Sequence, residues 1–483
     1  MKTTRIFLAF TILSSFLLYG CNSDGGADIA SEIDWFPHAK HGVQSATFNV
    51  PMNHLMDDGS QITLAMRRYP ASGAKKGSII FNPGGPGASA VDYLDYFAVT
   101  NFGLKLRENF DLVAFDPRGV GHSTAVHCVD NPLPYIAIDR NPESEVEYQR
   151  MIATMQDYIA LCEENSGALL EHVSTMDVVR DMELIRQAMG EGALNYIGFS
   201  YGTKIGALYA DTYPLNVRAM ALDGIYPPSL TLMDVTREQT AGFERSLQEF
   251  LTACAKNSAC LFGAGNPEHT LTSLLVNMKQ QPLPGDNERE LTYGKAKYAV
   301  MLGLYDQGLW PLLEHALAEA EEGEGSQLLA LTDHYFMRAS DGRYPNAIDA
   351  FYAVTCTDSS PPSAAEIEAE IEAVQWDYPF FIEMMMNNIL YCTYWNAAPG
   401  LQPKTVRALG APQIMVVGTT GDPATPYAWS QRLVGELNSS FLVTLQAERH
   451  VAAGANSCID DRYMQYLLHP RAGFSDLICS AGV

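Results

Sequence analysis

The pentapeptide G-F-S-Y-G at residues 198–202 constrains the fold of this chain more than any other feature. A short apolar run at residues 194–197 precedes it, and residues 203–210 after it are compatible with a helix. A strand that turns sharply into a helix holds the central serine at the end of a sheet, and small residues are needed on both sides of the turn. The pattern therefore predicts that Ser200 is a nucleophile on a strand–turn–helix.

The composition is that of a globular protein with an acidic surface. The 483 residues are 47% hydrophobic and 18% charged, which suits one large domain with an insertion, or two or three domains. The net charge of -25 argues against nucleic acid or an anionic membrane surface as a partner. We interpret this charge as a solvated surface that keeps an exported protein soluble, rather than as an attraction for cationic substrates.

The first 21 residues have the pattern of a bacterial lipoprotein signal peptide. A positively charged start leads into the mostly apolar residues 6–18, a run too short for an ordinary membrane-spanning helix. The sequence L-Y-G-C that ends at Cys21 resembles a lipobox, so Cys21 is predicted to be lipidated. The alternative is ordinary secretion with cleavage nearby. We expect an exported protein, either attached to the bacterial cell envelope through this lipid alone or extracellular.

The cysteines agree with an oxidising compartment. Removing Cys21 from the nine cysteines leaves eight, an even number that suits disulfides. None of them forms a C-x-x-C pair, and we predict no metal site and no cofactor. Spacing does not fix the connectivity. Our hypothesis pairs neighbours in chain order: Cys128 with Cys162, Cys254 with Cys260, Cys356 with Cys392, and Cys458 with Cys479.

Strands and helices alternate in the first half of the chain and again near its end. A helical apolar period predicts a helix over residues 177–188, with Asp177 as its N-cap and Gly190 as its stop. The alternation predicts an α/β fold with a mostly parallel central sheet and helices on both faces. Apolar runs predict its buried strands at residues 78–81, 111–116, 194–197, 217–222, 413–418 and 441–445.

Between these two parts the pattern becomes helical, which we interpret as a lid inserted into the sheet domain. Helices are predicted there at residues 236–255, 295–304, 310–322 and 364–373. The predicted organisation is a signal peptide at 1–21, a tether at 22–45, the first part of the core at 46–225, the lid at 226–403, and the last part of the core at 404–483.

A nucleophilic serine needs a base to take its proton and an acid to orient that base. Asp422 and His450 each follow a predicted strand, and the carboxyl ends of parallel strands are where sites gather in such sheets. We therefore predict a triad of Ser200, Asp422 and His450. Asp223 is an alternative acid that we interpret as structural, and His469 is the rival base.

The negative charge that develops during acyl transfer needs two N–H donors. One is the amide of Tyr201, directly after the nucleophile. The other is expected from the glycine loop that follows the strand at residues 78–81. Pro83 and Pro86 have no N–H, so Gly84 and Gly85 are the candidates, and we predict Gly85.

These segments together resemble the tripeptidyl aminopeptidase and proline iminopeptidase branch of the α/β-hydrolases, over most of the chain. Arg449 departs from that pattern, because the family usually has glycine before its catalytic histidine. The matching motifs are N-P-G-G-P-G at residues 82–87, D-P-R-G-V-G-H-S at 116–123, G-F-S-Y-G-T at 198–203, L-D-G at 222–224 and G-D-P-A-T-P at 421–426.

The resemblance implies an α/β-hydrolase fold and an exported serine exopeptidase. Such enzymes release short peptides, such as tripeptides, or single residues from substrates with a free N-terminus, and the resemblance does not decide between the two. It also implies that acidic residues of the lid bind the substrate's ammonium, with Asp358 as our candidate and Glu383 and Asp377 as alternatives. Two other classes remain open: a carboxylester hydrolase with the same triad, and a non-catalytic binding lipoprotein.

Overall fold

The computed structural model describes residues 32–40, 42–56, 58–396 and 401–481. The predicted signal peptide, Cys21 and the first part of the predicted tether lie outside the described residues. Within the described ranges, no helix combines the length and the apolar character that a membrane crossing requires.

Ten of the strands form one central sheet, while β8 and β9 pair only with each other. The strands are β1 (Phe36–Pro37), β2 (Gln44–Pro51), β3 (Gln61–Tyr69), β4 (Ser78–Asn82), β5 (Asp111–Phe115), β6 (Leu194–Phe199), β7 (Val217–Asp223), β8 (Leu283–Pro284), β9 (Glu290–Leu291), β10 (Ile414–Thr419), β11 (Ser440–Gln446) and β12 (Leu477–Ser480).

The central sheet is mostly parallel, as the sequence predicts. Its order is β1-β2-β3-β5-β4-β6-β7-β10-β11-β12, and every neighbouring pair from β5 to β12 is parallel. At the other edge, β1, β2 and β3 pair antiparallel. The sequence did not reveal these three strands or β12. In β2 the residues alternate between buried and exposed, which is typical of a strand with one solvated face.

The helices cover the sheet and the carboxyl ends of its strands. They are α1 (Ala90–Phe97), α2 (Asn101–Arg107), α3 (Leu133–Ile136), α4 (Glu145–Ser166), α5 (Thr175–Ala188), α6 (Tyr201–Thr212), α7 (Leu232–Lys256), α8 (Pro267–Gln280), α9 (Tyr293–Gly303), α10 (Trp310–Glu321), α11 (Ser326–Tyr335), α12 (Ala347–Thr357), α13 (Ala364–Val374), α14 (Ile382–Asn388), α15 (Leu390–Thr393), α16 (Tyr427–Glu436) and α17 (Ser457–Leu468).

The sheet is buried on both faces because successive residues of each strand enter different apolar cores. In β4, Ile79 and Phe81 belong to the core that contains α1, α2 and α17. Ile80 belongs to the core that contains α5, α6 and α16. Every residue of β4, β5 and β6 is buried, which explains why these strands appear in the sequence as continuous apolar runs.

The predicted helix at 177–188 forms, but its predicted cap is wrong. Helix α5 begins at Thr175, and its N-cap is Ser174, whose hydroxyl accepts the N–H of Asp177 at 3.2 Å. Asp177 instead lies in the first turn, where its carboxylate accepts the Ser174 hydroxyl at 2.6 Å. Gly190 follows the helix with a φ of 69°, a left-handed conformation that favours glycine.

The conserved-looking polar pair at the end of β5 holds neighbouring segments in place. Buried Asp116 accepts the Ser89 hydroxyl and the Val91 N–H, both at 2.9 Å, and so fixes the start of α1. Fully buried Arg118 donates to both carboxylate oxygens of Asp181 at 2.7 Å. The motif at residues 116–123 is therefore structural, and it anchors the helix that follows the glycine loop.

The chain between β7 and β10 is helical, apart from the short strands β8 and β9, within the residues that the structure describes there. Helices α7, α9, α10 and α13 lie where the sequence predicts helices. The sequence did not reveal α8, α11, α12, α14 or α15 in this part, nor α4 before β6.

Four disulfides form in the pairing that we hypothesised from chain order, so that hypothesis is confirmed. One of them joins α12 to α15, and another joins α17 to β12. The bonds are Cys128–Cys162, Cys254–Cys260, Cys356–Cys392 and Cys458–Cys479.

Candidate active site

Ser200 occupies a strained turn between β6 and α6, with φ 54° and ψ -126°. Its N–H donates to the Asp223 carbonyl at 3.0 Å. The flanking glycines leave room for close backbone contacts. A Cβ at Gly198 would lie 2.5 Å from the Gly202 carbonyl oxygen, and a Cβ at Gly202 would lie 2.6 Å from the Asn82 carbonyl oxygen. The spacing of small residues around the serine thus has a direct steric cause.

Asp422 and His450 meet at the ends of β10 and β11. The His450 Nδ1–H donates to Asp422 Oδ2 at 2.8 Å, and Oδ1 lies 3.0 Å from the same nitrogen. Buried Asp422 also accepts the N–H of Ala424 at 2.9 Å, together with the N–H and hydroxyl of Thr425 at 2.7 and 2.9 Å. With its Nδ1–H donated in this way, His450 has Nε2 available as a base.

Electrostatics favour the protonated form of His450. Burial alone lowers the pKa of His450, but the charge and hydrogen bond of Asp422, with a further contribution from Asp223, raise it above the ordinary value of 6.5. An imidazole that takes a proton from a serine becomes positively charged, and this environment stabilises that charge.

Ser200 and His450 lie on adjacent loops around Gly224. A Cβ at Gly224 would lie 3.2 Å from His450 Cε1, and the His450 ring packs against Tyr305, which lines the same cavity as Ser200. Among the hydrogen bonds of the described residues, none joins Ser200 to the His450 ring. Catalytic hydrogen bonds of free enzymes often tighten only when substrate binds, so this geometry is compatible with proton transfer.

The two rival residues occupy different places. The Asp223 carboxylate accepts the N–H groups of Ala452 and Ala453 at 3.0 and 2.8 Å and the Tyr463 hydroxyl at 2.8 Å, which agrees with a structural role. His469 is exposed at the end of α17, and within the described chain it makes no hydrogen bond or ion pair with Asp422.

The glycine loop after β4 presses against the serine turn. A Cβ at Gly84 would lie 2.8 Å from Ser200 Cβ and 3.0 Å from the Tyr201 nitrogen. The Gly84 N–H is already donated to Asn82 Oδ1 at 2.9 Å. The Gly85 N–H has no acceptor among the described residues, and Tyr201 begins α6, where an N–H has no partner within its own helix. Gly85 and Tyr201 therefore offer the N–H donors that an oxyanion needs.

Ser200 opens into a cavity of about 520 Å³ between the sheet and the helices α7, α9, α11, α12 and α14. Its lining is mostly apolar, and within the described residues it contains no aspartate or glutamate. Such a chamber suits a short, largely apolar substrate. Its aromatic residues are Tyr93, Tyr226, Phe243, Tyr298, Tyr305, Tyr335, Phe351 and Tyr352.

The candidate ammonium-binding residue does not line this cavity. Asp358 is buried at the end of α12, where it pairs with Lys204 at 2.8 Å and accepts the Thr175 N–H at 2.8 Å. Its charge is thus neutralised by a helix of the core, and we do not retain Asp358 as a substrate ligand. Asp377, which is exposed, and half-buried Glu383 do not line the cavity either.

Comparison with known proteins gives the family. The family model described as the alpha/beta hydrolase fold matches residues 77–454. The chain belongs to the α/β-hydrolase family. The resemblance seen in the motifs and the predicted fold class are both confirmed.

Three curated relatives of this α/β-hydrolase cover nearly the whole chain. Serine protease Hip1 of Mycobacterium tuberculosis is 35% identical, over 97% of this chain and 96% of the relative. A Mycobacterium tuberculosis protein named Carboxylesterase B is 34% identical, over 91% of this chain and 86% of the relative. Tripeptidyl aminopeptidase of Streptomyces lividans is 29% identical, over 91% and 84%.

The lid of this α/β-hydrolase holds the loop that carries His450. The His450 N–H donates to the Tyr305 carbonyl at 2.7 Å, and Arg449 lies 3.5 Å from the Asp306 carboxylate. Arg449 also donates through Nε to the Val451 carbonyl at 3.0 Å. The arginine that replaces the family's usual glycine therefore joins the lid to the histidine loop.

Two residues at the site were missed at the level of sequence. Thr425, which contacts both Asp422 and His450, lies within the motif at residues 421–426 and could have been assigned from it. Tyr305, whose ring and carbonyl both contact His450, lies in the lid, where no sequence pattern marks it.

We expect the reactivity of Ser200 to rise with pH through a midpoint above 6.5. His450 must be neutral to accept the serine proton, and Asp422 raises its pKa, so protonation silences the site at lower pH. The measurement is the pH dependence of the labelling rate with a fluorophosphonate. His469→Ala should leave the midpoint in place. A midpoint at or below 6.5 would contradict the assignment of His450 as the base.

Proposed function

We propose that this α/β-hydrolase is a serine peptidase that acts through an acyl-enzyme on Ser200. The observation that carries the proposal is the hydrogen bond between His450 and Asp422, formed beside a serine on a strained turn at the ends of parallel strands. Relatives named as a serine protease and as a tripeptidyl aminopeptidase support peptide substrates.

The geometry assigns each step to a group. Ser200 Oγ attacks the scissile carbonyl while His450 Nε2 accepts its proton, and Asp422 stabilises the resulting imidazolium. The N–H groups of Gly85 and Tyr201, at the N-terminus of α6, stabilise the oxyanion. His450 then gives the proton to the leaving amine, and the acyl-enzyme forms. Water attacks that ester with His450 again acting as base, and Ser200 is released.

The finer proposal is an exopeptidase that removes short peptides or single residues from free N-termini. The roof of lid helices over Ser200 supports it, because a closed cavity of about 520 Å³ cannot accommodate the middle of a long chain. The name of the Streptomyces relative points the same way.

The second candidate is a carboxylester hydrolase. It is favoured by the cavity lining, which offers no carboxylate to a substrate ammonium within the described residues, and by the relative named Carboxylesterase B. Activity on amides compared with matched short esters separates the two. The third class, a non-catalytic binding lipoprotein, is disfavoured because the serine, histidine and aspartate are all present with their hydrogen-bond partners.

We also propose that the protein is exported and anchored by a lipid on Cys21. The four disulfides support an oxidising compartment, and the sequence before Cys21 supports lipid attachment.

Ser200→Ala and His450→Ala should each lower the rate of hydrolysis by about 10⁴- to 10⁶-fold, because a triad fails when any member is lost. The measurement is kcat/KM on a peptide p-nitroanilide, with folding checked by circular dichroism. His469→Ala is the matched control and should keep the parent rate. Hydrolysis within about tenfold of the parent in Ser200→Ala would refute the assignment.

A peptide with a free N-terminus should be cleaved at least about tenfold faster, in kcat/KM, than its N-acetylated form. The physical reason is steric, since the added acetyl group must fit into a cavity that the N-terminal residues already fill. Equal values for the two peptides would point to an endopeptidase or an esterase.

Metabolic labelling with a radioactive fatty acid should mark the wild-type protein, and Cys21→Ser should lose the label. The reason is that the lipid is attached to the cysteine that ends the signal sequence. An unlabelled wild-type protein that is released freely would indicate simple secretion.

A further inference from the structure

Arg140 is a buried cation without a counter-ion. Its side chain is only 2% exposed, and no ion pair of the described residues includes it. Its Nη1 donates to the Tyr298 hydroxyl at 2.7 Å, its Nη2 lies 3.5 Å from the Tyr352 hydroxyl, and its Nε has no partner there. A buried charge normally requires a partner, as Arg118 has in Asp181.

The groups that Arg140 contacts are part of the cavity that holds Ser200. Tyr298 and Tyr352 both line it. Because Tyr298 accepts a hydrogen from Arg140, its own O–H remains free to donate. Tyr352 donates to Asn388 Oδ1 at 2.5 Å, and the Asn388 amide nitrogen, also at the cavity wall, has no acceptor among the described residues. This end of the cavity therefore presents hydrogen-bond donors.

The positive charge behind these donors is not cancelled by a contact. The guanidinium of Arg140 lies 5.8 Å from the ring centres of Tyr298 and Tyr391. Lys297, a second buried cation, packs on the rings of Tyr293 and Phe380, and no carboxylate of the described residues lies within 4.0 Å of it. In a low-dielectric cavity such charge favours an anion and disfavours an ammonium.

We propose that this end of the cavity binds a carboxylate of the substrate. The Tyr298 hydroxyl and the Asn388 amide donate to the carboxylate oxygens, and Arg140 supplies the opposing charge from behind the wall. The proposal rests on the proposed function, because it concerns the cavity in which Ser200 would act. The carboxylate is either an acidic side chain of a peptide or a free C-terminus, and both have the same chemistry.

The test is a binding measurement that does not need catalysis. Isothermal titration calorimetry of the Ser200→Ala protein compares 4-phenylbutyrate with 4-phenylbutyramide, which have the same shape and differ in charge. The acid should bind at least about tenfold more tightly, as expected for charge-assisted hydrogen bonds. Equal affinities, or no measurable affinity for the acid, would overturn the proposal.

Variants locate the preference within the cavity. In the Ser200→Ala background, Arg140→Met should abolish the preference for the acid, and Tyr298→Phe should weaken acid binding about tenfold while leaving the amide unaffected. Tyr391→Phe is the matched control, because Tyr391 also lies beside the guanidinium but donates to the Tyr135 carbonyl and does not line the cavity. A preference that survives both Arg140→Met and Tyr298→Phe would place the carboxylate elsewhere, for example at the oxyanion donors.

A second arm distinguishes the two sources of the carboxylate. The same titration compares peptides that differ by glutamate against glutamine in the side chain, and peptides with a free against an amidated C-terminus. The pair that shows the Arg140-dependent preference identifies the source. If fluorophosphonate fails to label the wild type while the carboxylate preference persists, the proposed function fails and the carboxylate site remains.

Discussion

The buried carboxylate of Asp223 holds together the two loops on which the site depends. Its main chain accepts the N–H of Ser200, and its side chain accepts two N–H groups of the segment after His450. Burial raises the pKa of Asp223, and these hydrogen bonds oppose that effect. One residue at the end of β7 thus sets both the nucleophile turn and the histidine loop, and it does so as a structural element.

The lid is as much a support of the site as a cover over it. Tyr305 and Asp306 contact the histidine loop at His450 and Arg449, and Asp358 of the lid pairs with Lys204 in the helix that begins at the serine turn. Each half of the catalytic pair is therefore in contact with the insertion. A change in the lid would be felt by the chemistry through these contacts, even where it leaves the cavity lining untouched.

The cavity combines an apolar wall with charge that lies behind it. Tyrosine hydroxyls and the amide of Asn388 supply the polar groups, while the cation of Arg140 is held one layer deeper. In water such a charge would be screened, but a dry wall transmits it to whatever occupies the cavity. The selectivity of the site is thus set partly by a residue that does not touch the open space.

The sequence by itself determined the elements that are built from contiguous residues. The strand–turn–helix at Ser200, the buried strands of the parallel sheet and the order of Ser200, Asp422 and His450 all follow from local pattern, because sharp turns and buried strands impose strong demands on neighbouring residues. The antiparallel edge strands and half of the lid helices were missed, because their apolar residues alternate weakly or are shared among several partners.

Only the tertiary structure decided what the polar residues face. Asp358 was predicted to bind the substrate, and it proved to be paired with Lys204, whereas Arg140 carried no sequence signal and is left without a counter-ion behind the cavity. Residues far apart in sequence form these pairs. Whether a buried charge is neutralised depends on which distant side chain packs against it, and no local pattern records that choice.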